Sequence, residues 1–153
     1  MKKLLTPLAL LVGLLLLATG CNSTGTIVVT GLRVEITSIE RTGDGTISVT
    51  WNLTNPNIVP YLISRARHKI YLNNTFVGTT LDITAMAIPA QNHATRTSKL
   101  VLDGPAADRL IAGAIGQGPV AYRMETMLFI QLFGDMIERG DISGAGSVPV
   151  TGK

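Results

Sequence analysis

The side chains that most often carry out chemistry are scarce in this sequence. Its 153 residues include one cysteine, Cys21, and two histidines, His68 and His93. Zinc and iron–sulfur sites need several Cys or His ligands at fixed spacings, and neither histidine has an Asp or His at such a spacing beside it. No serine lies in a G-x-S-x-G turn, which would expose a nucleophile. We therefore predict a non-enzymatic protein without metal or cofactor.

The composition predicts a folded domain without a nucleic-acid partner. Hydrophobic residues make up 46% of the chain and charged residues 15%, which is too apolar for a disordered protein. The chain has thirteen basic and ten acidic residues, but two of the basic residues, Lys2 and Lys3, lie in the N-terminal segment described next. The remaining near-neutral balance lacks the strong positive charge that nucleic-acid binding requires.

Residues 1–21 have the layout of a secretory signal. Two lysines precede an apolar run from Leu8 to Ala18, which is shorter than the roughly 20 residues of a membrane-spanning helix. Residues 17–21, Leu-Ala-Thr-Gly-Cys, resemble a bacterial lipobox, after whose cleavage the cysteine carries diacylglycerol. We predict a lipoprotein signal peptide over 1–20 and membrane attachment through diacylglycerol on Cys21.

This anchor predicts a location in the cell envelope. Asn22 follows Cys21, whereas an aspartate there resembles the signal for retention in the inner membrane, so the outer membrane facing the periplasm is favoured. Residues 21–29 form the lipidated N-terminus and a short tether, and the folded domain covers 30–150. The alternative is an ordinary signal peptide followed by a coincidental free thiol, which would be a liability in an oxidising compartment.

The body of the chain alternates between apolar and polar residues over many short runs. The most regular run is 46–53, and similar alternation appears over 32–37, 66–72, 75–81, 81–87, 98–102 and 122–132. Ile39 falls out of phase, which predicts a bulge, and 136–150 resembles an irregular closing strand. His68 lies on an apolar strand face and is expected to be a hydrogen-bonded structural residue, whereas His93 is placed in a loop after a proline.

Two turn motifs and one stretch with helical instead of strand periodicity complete the fold prediction. Residues 42–45, Thr-Gly-Asp-Gly, and the pair Asn73-Asn74 predict two hairpin turns. Only residues 105–116 have apolar residues at helical spacing, with a proline near the start and glycine at the end. Seven or eight strands with short connections and one helix predict an all-β fold, an antiparallel immunoglobulin-like or fibronectin-like β-sandwich.

Cations recur along the predicted solvent face of one strand. Arg65, Arg67 and Lys69 alternate with buried positions, and Lys99 lies on the polar side of another strand. If those strands are neighbours, these four residues form a patch that could bind anionic headgroups or polyanions. The alternative is a solvated strand face that discourages aggregation between sheet edges.

Five short motifs follow one another in order across residues 30–150: WNLTNPN at 51–57, KIYLNN at 69–74, VG at 77–78, IPA at 88–90 and GSVPV at 146–150. Together they resemble the late embryogenesis abundant (LEA) type 2 family and its water-stress and hypersensitive-response (WHy) domain. The resemblance implies a β-sandwich with one helix, no established catalytic residues and a role in tolerance of desiccation or other stress. Asn55, Pro56 and Asn57 match the family hallmark and are assigned a structural corner.

Two functions follow from these observations. The first is an envelope lipoprotein that protects against desiccation or other stress by shielding partially unfolded proteins or membranes from aggregation. Met127 and Phe129, apolar residues on the polar face of their strand, are candidate contacts. The alternative is a tethered module that binds an envelope partner protein or an anionic ligand through the Arg65–Lys69 strand.

Overall fold

The computed structural model describes residues 31–131 and 137–152. The predicted signal peptide, Cys21 and the tether therefore lie outside the described residues. The described ranges form nine strands and one helix in this order: β1 (Arg33–Arg41), β2 (Ile47–Asn55), β3 (Tyr61–Leu72), β4 (Thr75–Asp82), β5 (Met86–Ile88), β6 (Asn92–Leu102), α1 (Pro105–Ala114), β7 (Val120–Gln131), β8 (Ile137–Val148) and β9 (Val150–Gly152). The predicted all-β fold with one short helix is confirmed, with nine strands rather than seven or eight.

The strands form two layers that share one strand. Sheet I contains β1, β2 and β9, and sheet II contains β3, β4, β5, β7 and β8. Strand β6 pairs with β2 over residues 92–99 and with β4 over 100–102, so it passes from one sheet to the other. All pairings are antiparallel except β1 with β9, where Ile39 lies opposite Val150.

The core lies between the two sheets and is built from the alternating inward residues. Trp51 of β2 is fully buried, and its ring contacts that of His68 of β3 across the core. On the open side of the sandwich, β8 approaches β1 so closely that a Cβ on Gly144 would lie 2.0 Å from the Val34 carbonyl oxygen. Nearby, the Ile36 amide donates a hydrogen bond of 3.0 Å to the Tyr122 hydroxyl.

The predicted turns and bulge are confirmed. Asn73 and Asn74 have φ values of 47° and 65°, the left-handed conformation that asparagine tolerates in two-residue hairpins. At the β1–β2 turn, Asp44 accepts hydrogen bonds from the Thr42 hydroxyl and the Thr46 amide. The β1–β2 register shifts between Ile36 and Ser38, which accounts for the phase of Ile39.

The alternation predicted over 81–87 is wrong. Leu81 and Ile83 are exposed, whereas Met86 and Ile88 are buried. The buried positions are even-numbered on both sides of a local turn, with Thr80 before it and Met86 and Ile88 after it, whereas the sequence prediction chose the odd-numbered positions. In this turn the Asp82 carboxylate accepts a hydrogen bond of 2.9 Å from the Thr84 amide, and β4 ends there.

Three further boundaries differ from the sequence prediction. His93 lies in β6, opposite Thr54 of β2, and not in a loop. The helix ends at Ala114, because Ile115 is already extended. Most of the predicted irregular closing segment is a regular twelve-residue strand, β8, followed after Pro149 by β9.

The two ends of the sandwich differ in what they carry. At one end, which we call the NPN end, lie the 55–60 corner, the 83–91 connection, the start of β1 and the start of β8. At the other, the helix end, lie the 42–46 turn, the Asn73–Asn74 turn and α1. This polarity decides which residues share a surface.

Candidate binding surface

The NPN corner is organised by the side chain of Asn55. This residue is fully buried at the end of β2. Its amide nitrogen donates to the carbonyl oxygens of Val59 at 2.8 Å and Pro89 at 3.1 Å, and its amide oxygen accepts from the Asn57 amide at 3.0 Å. One side chain thus connects two loops, which fits the structural role that the sequence assigned to Asn55, Pro56 and Asn57.

The outer surface of sheet II carries the cations of β3. Arg65, Arg67 and Lys69 are exposed because they alternate with the buried residues of the strand. In register with them on β7 lie Phe129, Met127 and Glu125, and the rows continue on β8 with Arg139, Asp141 and Ser143. We call the surface formed by Arg65, Arg67, Lys69, Met127, Phe129 and Arg139 the basic face.

Aromatic rings on this surface lie under guanidinium groups. The Arg65 guanidinium lies 3.9 Å from the centre of the Phe129 ring, and that of Arg123 lies 3.7 Å from the centre of the Tyr71 ring. Such cation–π contacts hold each arginine over its ring and leave the edge of the guanidinium free to donate hydrogen bonds, as Arg123 does to Glu125. Phe129 and Met127 are half-buried, so the basic face is apolar at its centre and cationic at its margins.

Both carboxylates beside the basic face are neutralised by neighbours on their own strands. Glu125 forms a salt bridge with Arg123, and this hydrogen bond holds the pKa of the Glu125 carboxyl below its usual value. Asp141 forms a salt bridge of 2.8 Å with Arg139. Neither Arg67 nor Lys69 forms a salt bridge within the described ranges, so these two charges are available to an anion.

The free cations line a cleft. It has a volume of about 620 Å³, lies over β3, β7 and β8, and is bordered by Arg67, Lys69, Met127, Arg139 and Ile142, among others. Glu125 and Asp141 also border the cleft, but each is salt-bridged to an arginine, so the walls keep an excess of positive charge beside apolar contact. This combination suits an anionic group attached to an apolar or extended chain.

Lys99 does not belong to the basic face. Strand β4 lies between β3 and β6, with Leu81 opposite Arg67. Lys99 instead borders a separate groove between β4 and β6, together with Leu81 and Thr95. The four-residue patch required β3 and β6 to be neighbouring strands, and they are not. Only Arg65, Arg67 and Lys69 of the four lie together.

His68 lies in the core, as predicted for a structural histidine. Its Nδ1 is 2.8 Å from the Thr126 hydroxyl, while its Nε2 has no hydrogen-bond partner in the described structure. The Trp51 indole, whose ring centre lies 4.4 Å from that of His68, donates its own hydrogen bond to Ser98. Burial lowers the pKa of His68 to about 4, so the imidazole is neutral at physiological pH.

The sequence did not reveal the contribution of β8. Arg139 joins the basic face only because β8 pairs with β7, and the glycines of this segment obscure its alternation. The sequence predicts that Arg123 lies on the polar side of β7. It does not predict the contact of Arg123 with Tyr71, because that contact requires β3 and β7 to be neighbours. No local signal could have supplied either fact.

Residues 31–131 and 137–152 contain no cluster of three or more His, Cys, Asp or Glu side chains able to hold a metal ion. They also contain no helix of the length and apolar character required to cross a bilayer.

No protein-family model matches the chain, and no curated protein matches it. Solved structures are similar to it at low sequence identity. The solution structure of At1g01470 from Arabidopsis thaliana has a TM-score of 0.50 and 14% identity, covering 77% of this chain and 78% of that one. This likeness supports the fold described above and assigns no function.

Two other similar structures extend the comparison. A protein from Archaeoglobus fulgidus has a TM-score of 0.46 and 12% identity, covering 76% of this chain and 92% of that one. A solution structure described as that of a late embryogenesis abundant (LEA) protein, At2g46140.1, has a TM-score of 0.33 and 13% identity, covering 95% of this chain and 87% of that one. An LEA protein is thus among the structures to which this chain is similar.

Proposed function

We propose that the protein is a non-enzymatic lipoprotein of the cell envelope, anchored through diacylglycerol on Cys21 to the outer membrane and facing the periplasm. Its domain protects against desiccation or related stress by shielding partially unfolded proteins from aggregation. The lipobox-like residues 17–21 and the order of the LEA type 2 motifs support this proposal. The all-β fold is compatible with it.

The observation that carries the proposal is the composition of the basic face. Partially unfolded proteins expose apolar side chains beside backbone and charged groups. Met127 offers an adaptable apolar contact, and Phe129 offers a ring whose guanidinium cover can move aside. The surrounding cations keep this apolar centre from being an aggregation site itself.

The test is protection of a client enzyme against drying or freeze–thawing. The purified protein should keep more client activity and less turbidity than an inert protein of equal mass, at low and high salt, because apolar contacts are not screened. Substitution of Met127→Thr with Phe129→Thr should remove the protection. The control Ile83→Thr removes an exposed apolar side chain elsewhere and should leave protection intact. Protection no better than the inert protein would contradict the proposal.

A second candidate function is binding of an anionic ligand or envelope partner. The cleft with the unpaired cations Arg67 and Lys69 favours it. Binding of inorganic polyphosphate should then weaken steeply as salt rises. Arg67→Gln with Lys69→Gln should abolish it, whereas Lys99→Gln, in the separate groove, should not. Equal losses in the two variants would exclude the cleft as the site.

A further inference from the structure

The described chain enters the domain at the NPN end. The backbone at Gly31 lies against the corner, where a Cβ on this residue would be 3.4 Å from Pro56 and 3.5 Å from the Asn57 side chain. Strand β1 then runs from this end towards the helix end. Whatever precedes Gly31 therefore connects to the sandwich beside Asn55–Asn57.

This same end carries exposed apolar side chains. Ile58 is 81% exposed and Val59 57% exposed in the corner loop. Beside them, Leu62 is 38% exposed and Ile137 is 56% exposed, and both are paired with Gln131 of β7, so that they lie in one row across sheet II. Soluble surfaces rarely group large apolar side chains at one tip without a use for them. We call these four residues the apolar tip.

The two loops at the corner contain no charged residue, whereas Asp135 and Glu138 flank Ile137 in the sequence. Neither 55–63 nor 83–92 includes Asp, Glu, Lys or Arg. Removing these loops from water therefore desolvates no ionised side chain, and charge desolvation is the largest cost of entering an apolar environment. Asn55 already satisfies the polar backbone groups at Val59 and Pro89.

Cations stand immediately behind the tip. The row next to Leu62 and Ile137 contains Arg65 and Arg139 on either side of Phe129. Arg139 also forms a salt bridge with Asp141, and Asp82, at the end of β4, and Glu138 lie at this end too. The opposite end carries Asp44 and Asp103 together with the ion pair of Arg41 and Asp108. An anionic surface would act on Arg65 directly and on Arg139 in exchange for Asp141.

We propose that the apolar tip rests on an anionic phospholipid surface, with Ile58 and Val59 among the headgroups and Arg65 and Arg139 on lipid phosphates. The inference rests on the proposed anchor at Cys21. Nine residues such as 22–30 can span at most about 30 Å. The twelve-residue strand β3 is about 40 Å long, so the anchor keeps the NPN end near the membrane.

The anchor also favours a membrane over a protein partner. Tethering gives the tip a high effective concentration at the lipid surface, so weak contacts suffice to orient the domain. Interfacial binding by apolar residues with flanking cations is the usual pattern for peripheral membrane elements. The basic face would then stand beside the membrane, with the helix end directed away.

The test places a fluorescent probe on the acylated full-length protein. The sequence has one cysteine, which acylation consumes, so an introduced cysteine is the only free thiol. Ile58→Cys carries the probe at the tip. Gly43→Cys carries it at the helix end, where a Cβ would meet nothing within 4 Å. Both are reconstituted in vesicles of phosphatidylethanolamine with phosphatidylglycerol, and in phosphatidylcholine alone.

The probe at position 58 should show blue-shifted emission and quenching by spin-labelled lipid on the anionic vesicles, and the probe at 43 should show neither. Arg65→Gln with Arg139→Gln should reduce the quenching at 58. Water-like emission at both positions, equal shielding on phosphatidylcholine, or cross-linking of position 58 to a second protein would overturn the inference. Vesicle flotation and the mass of the acylated N-terminus report separately whether the anchor itself exists.

Discussion

The rings of Trp51 and His68 meet across the core with centres 4.4 Å apart and planes inclined by 57°. Trp51 belongs to sheet I and His68 to sheet II, so this contact joins the two layers at the centre of the molecule. His68 is held from its own sheet by Thr126. The sandwich therefore contains a titratable group at the point where its layers pack.

Folding stability should decrease as the pH falls from 6.5 towards 4. The pKa of His68 is lowered from 6.5 to about 4 by burial, so within this window the unfolded chain binds a proton that the folded protein does not. The stability that neutral His68 allows is fully present above pH 6.5. It falls by about 3 kcal/mol by the time the pH reaches about 4, the pKa of the folded state. Urea unfolding across this range measures it. His68→Gln should flatten the slope. Because Glu125 also loses stabilisation in acid, the difference between the two proteins is decisive.

Asn55→Ala should lower the free energy of unfolding by about 3 kcal/mol. It removes three hydrogen bonds and leaves the part-buried carbonyl groups of Val59 and Pro89 without these donors. The neighbouring Pro56 is exposed, and Pro56→Ala should cost less than about 1 kcal/mol through the greater freedom of the unfolded chain. Chemical denaturation of both variants gives the comparison. Similar losses would mean that the corner depends on its backbone shape and not on the Asn55 side chain.

Two glycine substitutions should have opposite effects on thermal stability. Gly144→Ala would place a Cβ 2.0 Å from the Val34 carbonyl oxygen, which forces β8 away from β1 and should cost at least about 2 kcal/mol. Gly113→Ala lies in α1, meets nothing within 4 Å and should stabilise the helix by about 0.5–1 kcal/mol. Melting temperatures of the two variants should shift in opposite directions. A neutral Gly144→Ala would show that the approach of β8 to β1 is looser than described.

Tyr122→Phe should open the contact between β1 and β7. The Tyr122 hydroxyl accepts the Ile36 amide, and its loss leaves a buried N–H without an acceptor, at a cost of about 1–2 kcal/mol. Hydrogen exchange should accelerate at the Ile36 amide, while that of Trp51 on β2 should change only with global stability. Unchanged protection at Ile36 would mean that another acceptor replaces the hydroxyl.

Cys21→Ala should abolish lipidation and leave the fold intact. Residue 21 lies outside the domain predicted over 30–150, so circular dichroism and melting temperature should match those of the wild type. Cells fed a labelled fatty acid should incorporate label into the wild type only. Label on the Cys21→Ala protein would refute the lipoprotein assignment.

Alternation predicted most strands because each has one face towards the core. Arg67 and His68 illustrate this, since one is exposed and the next is buried. The same rule failed over 81–87, where the alternating apolar residues Leu81 and Ile83 are exposed and the hydrogen bond between Asp82 and Thr84 interrupts the strand. A hydrogen bond from a side chain to a nearby backbone amide needs only one suitable polar residue. It therefore leaves no periodic pattern in the sequence that could be recognised.

The membership of the basic face could not be read from sequence. Strand order is set by non-local packing, and it is strand order that separates Lys99 from Arg67 and brings Arg139 beside Phe129. Gly144 interrupts the apolar–polar alternation of β8 for a different reason. A side chain at this position would clash with β1, so the packing of the two strands requires the glycine that hides the strand pattern.

The parallel pairing of β1 with β9 has a kinetic consequence. Ile39 pairs locally with Val49, but it cannot acquire its parallel partner until Val150 has been synthesised. Such long-range pairing slows folding, because the entropy of closing the loop is lost before the contact forms. We therefore expect the β1–β9 pairing to form after the local hairpins β1–β2 and β3–β4.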